Sequence, residues 1–193
     1  MEGTEEPGLA GIKVLDLGHY IAGPYGTKML ADYGAEVIKI EKPNGGDPAR
    51  RLGPFFHDEF HPEKSGLFFY LNTNKKDVTL NLKTKTGVKI FKELVEGVDI
   101  LVENFAPRVM PSLGLSYEVL LEIQQSLVMT SISNFGQYGP YRDFKASEPV
   151  LYGMGHAMHS SGLPAREPLK MWGYVNQLYA GLVAAVASLI SFF

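Results

Sequence analysis

Short aliphatic runs alternate along the chain with stretches whose apolar residues recur every three or four positions. The first run, Ile12 to Leu17, ends at Gly18. Gly23-Pro24 breaks the chain, and Tyr25 to Tyr33 then carries Met29, Leu30 and Tyr33 at helical spacing before Gly34 stops it. Glu36 to Ile40 is a second strand, closed by Pro43. Strand, helix and strand joined by short connections predict a βαβ unit and hence a parallel sheet. The alternation continues. A strand is expected over Asp77 to Leu82, and a helix over 84–97 on Val88, Ile90, Phe91, Leu94 and Val95. A strand follows at Asp99 to Val102, a short amphipathic helix at 116–125, and a strand at Leu127 to Ile132. Residues 142–172 are broken by Gly, Ser and Pro, with a helix expected from about Val150 to Ser160. Tyr174 to Phe193 is a long apolar helix. The fold class expected from this pattern is α/β.

Three segments stand outside the alternation. Residues 1–10 are acidic without an apolar centre, so they read as a flexible tail and not as a signal peptide. Residues 43–66 are rich in Pro, Gly, His and charge and are expected to form a long surface excursion, the kind of loop that is often functional. The last helix has the length of a membrane span. However, Asn176 and Gln177 near its start, and its many Ala and Gly residues, favour a helix packed on a sheet or a partner.

Composition narrows the function. A length of 193 residues, 45% apolar and 20% charged, fits a folded globular chain. A formal net charge of −3 lacks the basic footprint of a general nucleic-acid binder. The absence of cysteine excludes disulfides, thiolate metal sites and thiol nucleophiles, and it permits a reducing cytosol. No internal repeat interrupts the chain.

The candidate chemistry lies at strand ends. Gly18, Gly23 and Gly26 follow the first strand, but their spacing is not GxGxxG. Tight strand-to-helix turns explain them better than NAD binding, although Glu41 sits where a ribose-binding acid would lie and the helix start at Pro24-Tyr25 could receive an anion. His57 with His61, and His156 with His159, read as surface or packing residues. His19 differs, since it lies just past a strand's C-terminal end, where open parallel sheets bind ligands. Lys42, Arg50, Arg51, Lys75, Lys76 and Arg108 gather near the same ends and suit a polyanionic small ligand. Asp16 and Glu103 are either catalytic carboxylates or loop caps, and Ser133 has no obvious base.

GIKVLDLGHYIAGPYGTKMLADYGAEVIKIEKPNGGDPAR is similar to the opening of the family III CoA-transferases, which include formyl-CoA transferase, the carnitine CoA-transferase and α-methylacyl-CoA racemase. LNTNKKDVTLNLKTKTG, DILVENFAPRVMPSLGLSYEVL, SISNFGQYGPY and the helix with AGLVAAVASL follow in the family's order, so the resemblance spans nearly all of 11–190. It implies a Rossmann-like parallel sheet flanked by helices, the large domain of a fold in which two chains interlock. Coenzyme A or acyl-CoA is then a substrate, with a carboxylic acid as acceptor. No metal, nucleic acid or membrane is implied, and the location is cytoplasmic. By position, His19, Tyr20, Ile21, Lys42, Leu71, Asn72, Lys75, Asn104, Phe105 and Arg108 would line the CoA site.

The family's transferases use an aspartate as covalent nucleophile. Anchored on Ala180-Gly181, its position here is Gln177, or Asn176 with a one-residue shift. Neither amide can form the mixed anhydride. The racemases' histidine is also absent, because Tyr141-Arg142-Asp143-Phe144 follows the GQ-GP motif. The expectation is therefore a non-catalytic subunit acting with an active homologous chain, as in heteromeric members such as benzylsuccinate CoA-transferase. An active transferase using another carboxylate, or a CoA-binding pseudoenzyme, are the alternatives. Met154 to Met158 and Trp172 hint at an apolar acid, though packing explains them better. Family members are longer, so residues 11–193 are expected to be the N-terminal part of the large domain of a longer polypeptide.

Overall fold

The computed structural model describes residues 6–193. Five strands form one wholly parallel sheet: β1 (Lys13–Asp16), β2 (Glu36–Glu41), β3 (Lys76–Thr79), β4 (Ile100–Glu103) and β5 (Val128–Ser131), in the order β3-β2-β1-β4-β5. The chain winds outward from β1 through β2 to β3, then crosses back to place β4 on the other side of β1. Strand order therefore reverses between β1 and β4, and the crevice at their C-terminal ends is the expected ligand site of such a sheet.

Alternation along the central strands separates two cores. Leu15, Leu17, Ile40 and Leu101 face Phe91 and Val95 of α3 (Lys85–Val95), Met110 of α4 (Val109–Ser112) and Leu120 of α5 (Tyr117–Leu121). Val14, Val37, Ile100 and Val102 face Leu30 and Ala31 of α1 (Ala22–Asp32) and Ala185 of α7 (Val175–Phe192). The result is an α/β/α sandwich, as the sequence pattern requires.

The strands and long helices lie within a few residues of their expected positions. The short helices α2 (Gly66–Leu71) and α4 were not expected, since α4 has only four residues and the nearly unbroken apolar run of α2 carries no helical period. The expected helix over Val150 to Ser160 is broken. α6 spans Glu148–Met154, the chain turns at Gly155 and at His156 with φ 68°, and a 3-10 turn covers Ala157–Ser160. The expected tail also needs correction. Its first five residues lie outside those described, but Leu9 is buried and its N–H donates to Tyr33 O, so the exposed stretch around it is anchored at Leu9.

The 43–66 segment is surface only in part. Asp47, Ala49 and Ser65 are buried. Ser65 Oγ donates to Ala49 O and Leu52 O while accepting the Phe68 N–H as the cap of α2. These polar anchors carry no hydrophobic signature, which is why the sequence pattern reads the segment as a loop.

Helix α7 is long and apolar enough to span a membrane by length and composition, with mean hydropathy 1.6. In this fold one face packs on α1 and β5 through Gly181, Ala184, Ala185 and Ser188. Ser188 Oγ lies 2.6 Å from Thr130 Oγ1. Leu182, Val183, Val186 and Ile190 are exposed, so the helix is packed along one stripe only.

Candidate functional site

The turn between β1 and α1 is held by side chains from several elements. Asp16 Oδ1 accepts the Gly18 N–H, Asn104 Oδ1 accepts the His19 N–H, and Asp47 Oδ1 accepts the Tyr20 N–H. Asn104 Nδ2 donates back to His19 O, and Lys39 Nζ donates to Gly18 O. Tyr20 sits at φ 61°, a backbone region that non-glycine residues avoid and that surrounding structure must enforce. The two-way clasp of Asn104 ties the end of β4 to the end of β1, across the point where strand order reverses. Asn104→Ala removes both bonds and is expected to destabilise by about 1–3 kcal/mol. Faster amide exchange at His19 would report it, while unchanged exchange there would refute the clasp.

Beneath the turn lies a buried charge network. Asp16 is fully buried. Its Oδ2 accepts from Lys75 Nζ at 2.9 Å and from Thr27 Oγ1 at 2.7 Å. Lys39 Nζ lies 2.9 Å from Asp47 Oδ2 and 3.9 Å from Asp16 Oδ2. Burial alone would raise the Asp16 pKa, but the Lys75 and Lys39 charges more than offset it and hold it at about 2. Burial pulls Lys75 down to about 8 against the opposing pull of Asp16. Burial of Lys39 is outweighed by Asp16 and Asp47, so its pKa is raised. Burial lowers the His19 pKa, and its ring stands edge-on to Phe105 with centroids 5.1 Å apart.

The residues expected at a CoA site separate into two groups. His19, Tyr20, Asn104 and Phe105 meet at the crevice, and Lys42 is exposed just past β2. Ile21 and Leu71 are buried. Lys75 Nζ donates to Asp16, Pro24 O and Asn72 Oδ1, so both Lys75 and Asn72 support the crevice floor. Most of the basic cluster is neutralised in place. Arg50 pairs with Glu41, Glu63 and Asp77 and stacks on Phe68; Lys76 pairs with Glu36; Arg108 pairs with Asp143 through two hydrogen bonds. Lys42 and Arg51 have no carboxylate partner among the described residues.

Asp16 and Glu103, left open between catalysis and capping, both cap turns, since Glu103 Oε2 accepts the Phe105 N–H at 2.7 Å. The glycines divide by purpose. A Cβ on Gly18 would lie 2.7 Å from Gly23 Cα across the turn, whereas a Cβ on Gly26 would lie 2.7 Å from Gly181 O on α7. His57, His61, His156 and His159 are exposed, and no set of three His, Asp or Glu side chains suited to a metal occurs among the described residues. Sequence reasoning missed Lys39 and Asp47. Lys39 carried a signal, as a charged residue in a strand whose neighbours are aliphatic.

An open groove of about 1010 Å³ starts at Asn104, Phe105 and Arg108 and runs to Glu148, Asn176 and Gln177 at the start of α7. It joins the expected CoA residues to the expected nucleophile position. Trp172 does not line it and is almost fully exposed.

The profile described as CoA-transferase family III matches residues 9–193. The chain is 37% identical to the succinate–glutarate CoA-transferase of Agrobacterium fabrum over 95% of this chain and 46% of that one. It is also 37% identical to the succinyl-CoA–L-malate CoA-transferase alpha subunit of Chloroflexus aurantiacus, over 98% of this chain and 44% of that one. The crystal structure of a CAIB/BAIF family protein from Brucella suis superposes with a TM-score of 0.90 at 33% identity, covering 97% of this chain and 49% of the other. The chain thus spans about half the length of the curated relatives it matches.

Proposed function

Since the chain belongs to CoA-transferase family III, we propose that it binds coenzyme A and acyl-CoA across the C-terminal ends of β1, β2 and β4, and takes part in moving CoA from an acyl-CoA donor to a carboxylic acid acceptor. The observation that carries this reading is Asn104, which clasps the His19-Tyr20 turn at the sheet's reversal point and also lines the groove that reaches Gln177. Preorganised backbone and a long groove suit an extended ligand better than a compact one. Residues 11–193 act as a CoA-binding part of the large domain, in a cytoplasmic enzyme.

Lys42, exposed beside the crevice and without an ion-pair partner among the described residues, meets a phosphate of CoA. Lys42→Glu is expected to weaken CoA binding about 5- to 10-fold at low salt and less at high salt, because exposed charges are screened. Calorimetric titration of the intact protein with CoA checks this. A salt-independent affinity, unchanged in the variant, would refute the assignment.

The names of the relatives support succinyl-CoA as a first donor to test, with short dicarboxylic acids as acceptors. Gln177 cannot supply the nucleophilic carboxylate, so that group comes from elsewhere. The match to an alpha subunit supports a homologous partner subunit as its source. A carboxylate on this chain is favoured by a specific observation, a Glu148 oxygen in the same groove that has no hydrogen-bond partner among the described residues.

A further inference from the structure

Resting on the reading of the chain as a CoA-transferase, we propose that Glu148 is the nucleophile, delivering to the start of α7 the carboxylate that Gln177 lacks. Asp143 and Glu148 are the carboxylates that line the groove. Both oxygens of Asp143 are taken by the Arg108 guanidinium, at 3.0 and 2.7 Å. Asp16 and Glu103 lie outside the groove lining and are committed to turns. Glu148 Oε1 accepts the Asn176 N–H at 2.8 Å, which fixes the carboxylate one residue from Gln177. Its Oε2 is shielded from water and has no hydrogen-bond partner among the described residues. Leaving a carboxylate oxygen dry and unpaired is costly, and such groups call for a functional explanation.

Local sequence explains the placement. Ser147-Glu148-Pro149 opens α6, with Glu148 in its first turn. Asn176 Nδ2 donates to Glu148 O at 3.3 Å and locks that turn to α7. The backbone N–H groups in the first turn of α7 stabilise the anion before attack and again when it leaves.

The step balances without any further reactant. With the carboxylate turned into the groove that Glu148 lines, Oε2 attacks the thioester carbonyl carbon; the C–S bond breaks, CoA leaves as thiolate, and a glutamyl–acyl anhydride remains. The thiolate attacks the glutamyl carbonyl and releases the donor acid as its carboxylate. The acceptor carboxylate then attacks the glutamyl-CoA thioester, CoA leaves again as thiolate, and a second anhydride forms. Attack of the thiolate on the acceptor's acyl carbon gives the new acyl-CoA and restores Glu148. No net proton is taken up.

The test uses the intact protein with any chain that co-purifies, and succinyl-, acetyl- and benzoyl-CoA as donors. The protein is quenched with hydroxylamine, and in parallel with borohydride, and the modified peptide is mapped by mass spectrometry. The expected result is a hydroxamate or reduced side chain at Glu148 with at least one donor. Glu148→Gln keeps an oxygen that accepts the Asn176 N–H, so a purely capping role survives in it. This variant is expected to lose the adduct and at least about 10³-fold in turnover while binding CoA within about 3-fold of the parent. An adduct on another residue or on an accompanying chain overturns the proposal, as does binding of CoA without an adduct from any donor. Failure to bind CoA at all overturns the CoA-transferase reading and this proposal with it. Should the variant not fold, the adduct map of the unaltered protein still decides.

Discussion

Replacing Asp16 by alanine is expected to unfold the protein or lower its Tm by about 10 °C or more. Asp16 is fully buried and balances two buried ammonium groups, Lys39 and Lys75, while its other oxygen holds the Gly18 N–H. Removing one member of a buried ion network leaves the others uncompensated and costs about 3–5 kcal/mol, a large share of a typical domain's stability. In a chain of this size each kcal/mol shifts Tm by about 2–4 °C. Scanning calorimetry of the parent and the variant measures it. A shift of a degree or two would mean that the network contributes little and that water reaches the crevice floor.

The same carboxylate sets an acid limit. Its folded pKa of about 2 lies below the ordinary 3.8, so the unfolded state binds the proton first. Its contribution is therefore complete above pH 3.8 and is lost as pH falls from there through about 2. An unfolding midpoint that did not move over that interval would contradict the assignment.

Substituting Gly181 by valine is the second change expected to have a large effect. Helices α1 and α7 cross at Gly26 and Gly181, where a Cβ on Gly181 would lie 2.4 Å from Ala22 O and 3.0 Å from the Gly26 N. Both obstacles are backbone, so no side-chain rotation relieves the clash and the helices must separate. Overpacking of this kind costs about 1–3 kcal/mol, more where the backbone must move. Displacing α7 would also remove Asn176 from Glu148 and open the groove. The expected outcome is a lower Tm together with faster proteolysis between residues 142 and 174. Gly181→Ala is the milder test, since its single methyl meets the same two atoms. A valine variant as stable as the parent would show that the crossing is loose.

How much could be read from the sequence differs between core and site. The strands and the helices α1, α3 and α7 were legible because period 2 and period 3.6 are local signals, repeated over enough residues to stand out. α2 and α4 were not, because α4 has only four residues and the nearly unbroken apolar run of α2, GLFFYL, carries no helical period. Around the turn, His19 stood out in the sequence as lying past a strand's end, whereas Asn104 was named only through the family resemblance; the pairing of their backbone and amide groups follows from the parallel register of β1 with β4. Arg50, Lys75 and Lys76 look alike in sequence as cations near a crevice. Only their partners, up to 59 positions away along the chain, distinguish floor supports and surface pairs from groups open to a ligand.

The sequence by itself determined that this chain is an α/β protein with the motifs of CoA-transferase family III, and it sets Gln177 at the position where the family resemblance leads one to expect an aspartate. Those are statements about local pattern and about residue identity at a matched position. Tertiary structure alone decided that Asp16, Lys39, Asp47 and Lys75 neutralise one another beneath the turn, and that Gly26 and Gly181 exist for a helix crossing. It also decided that Glu148, 29 residues before Gln177, comes to lie beside it at the start of α7. Coulomb attraction, steric exclusion and hydrogen bonding act across space, so their partners are fixed only when distant segments have been brought together.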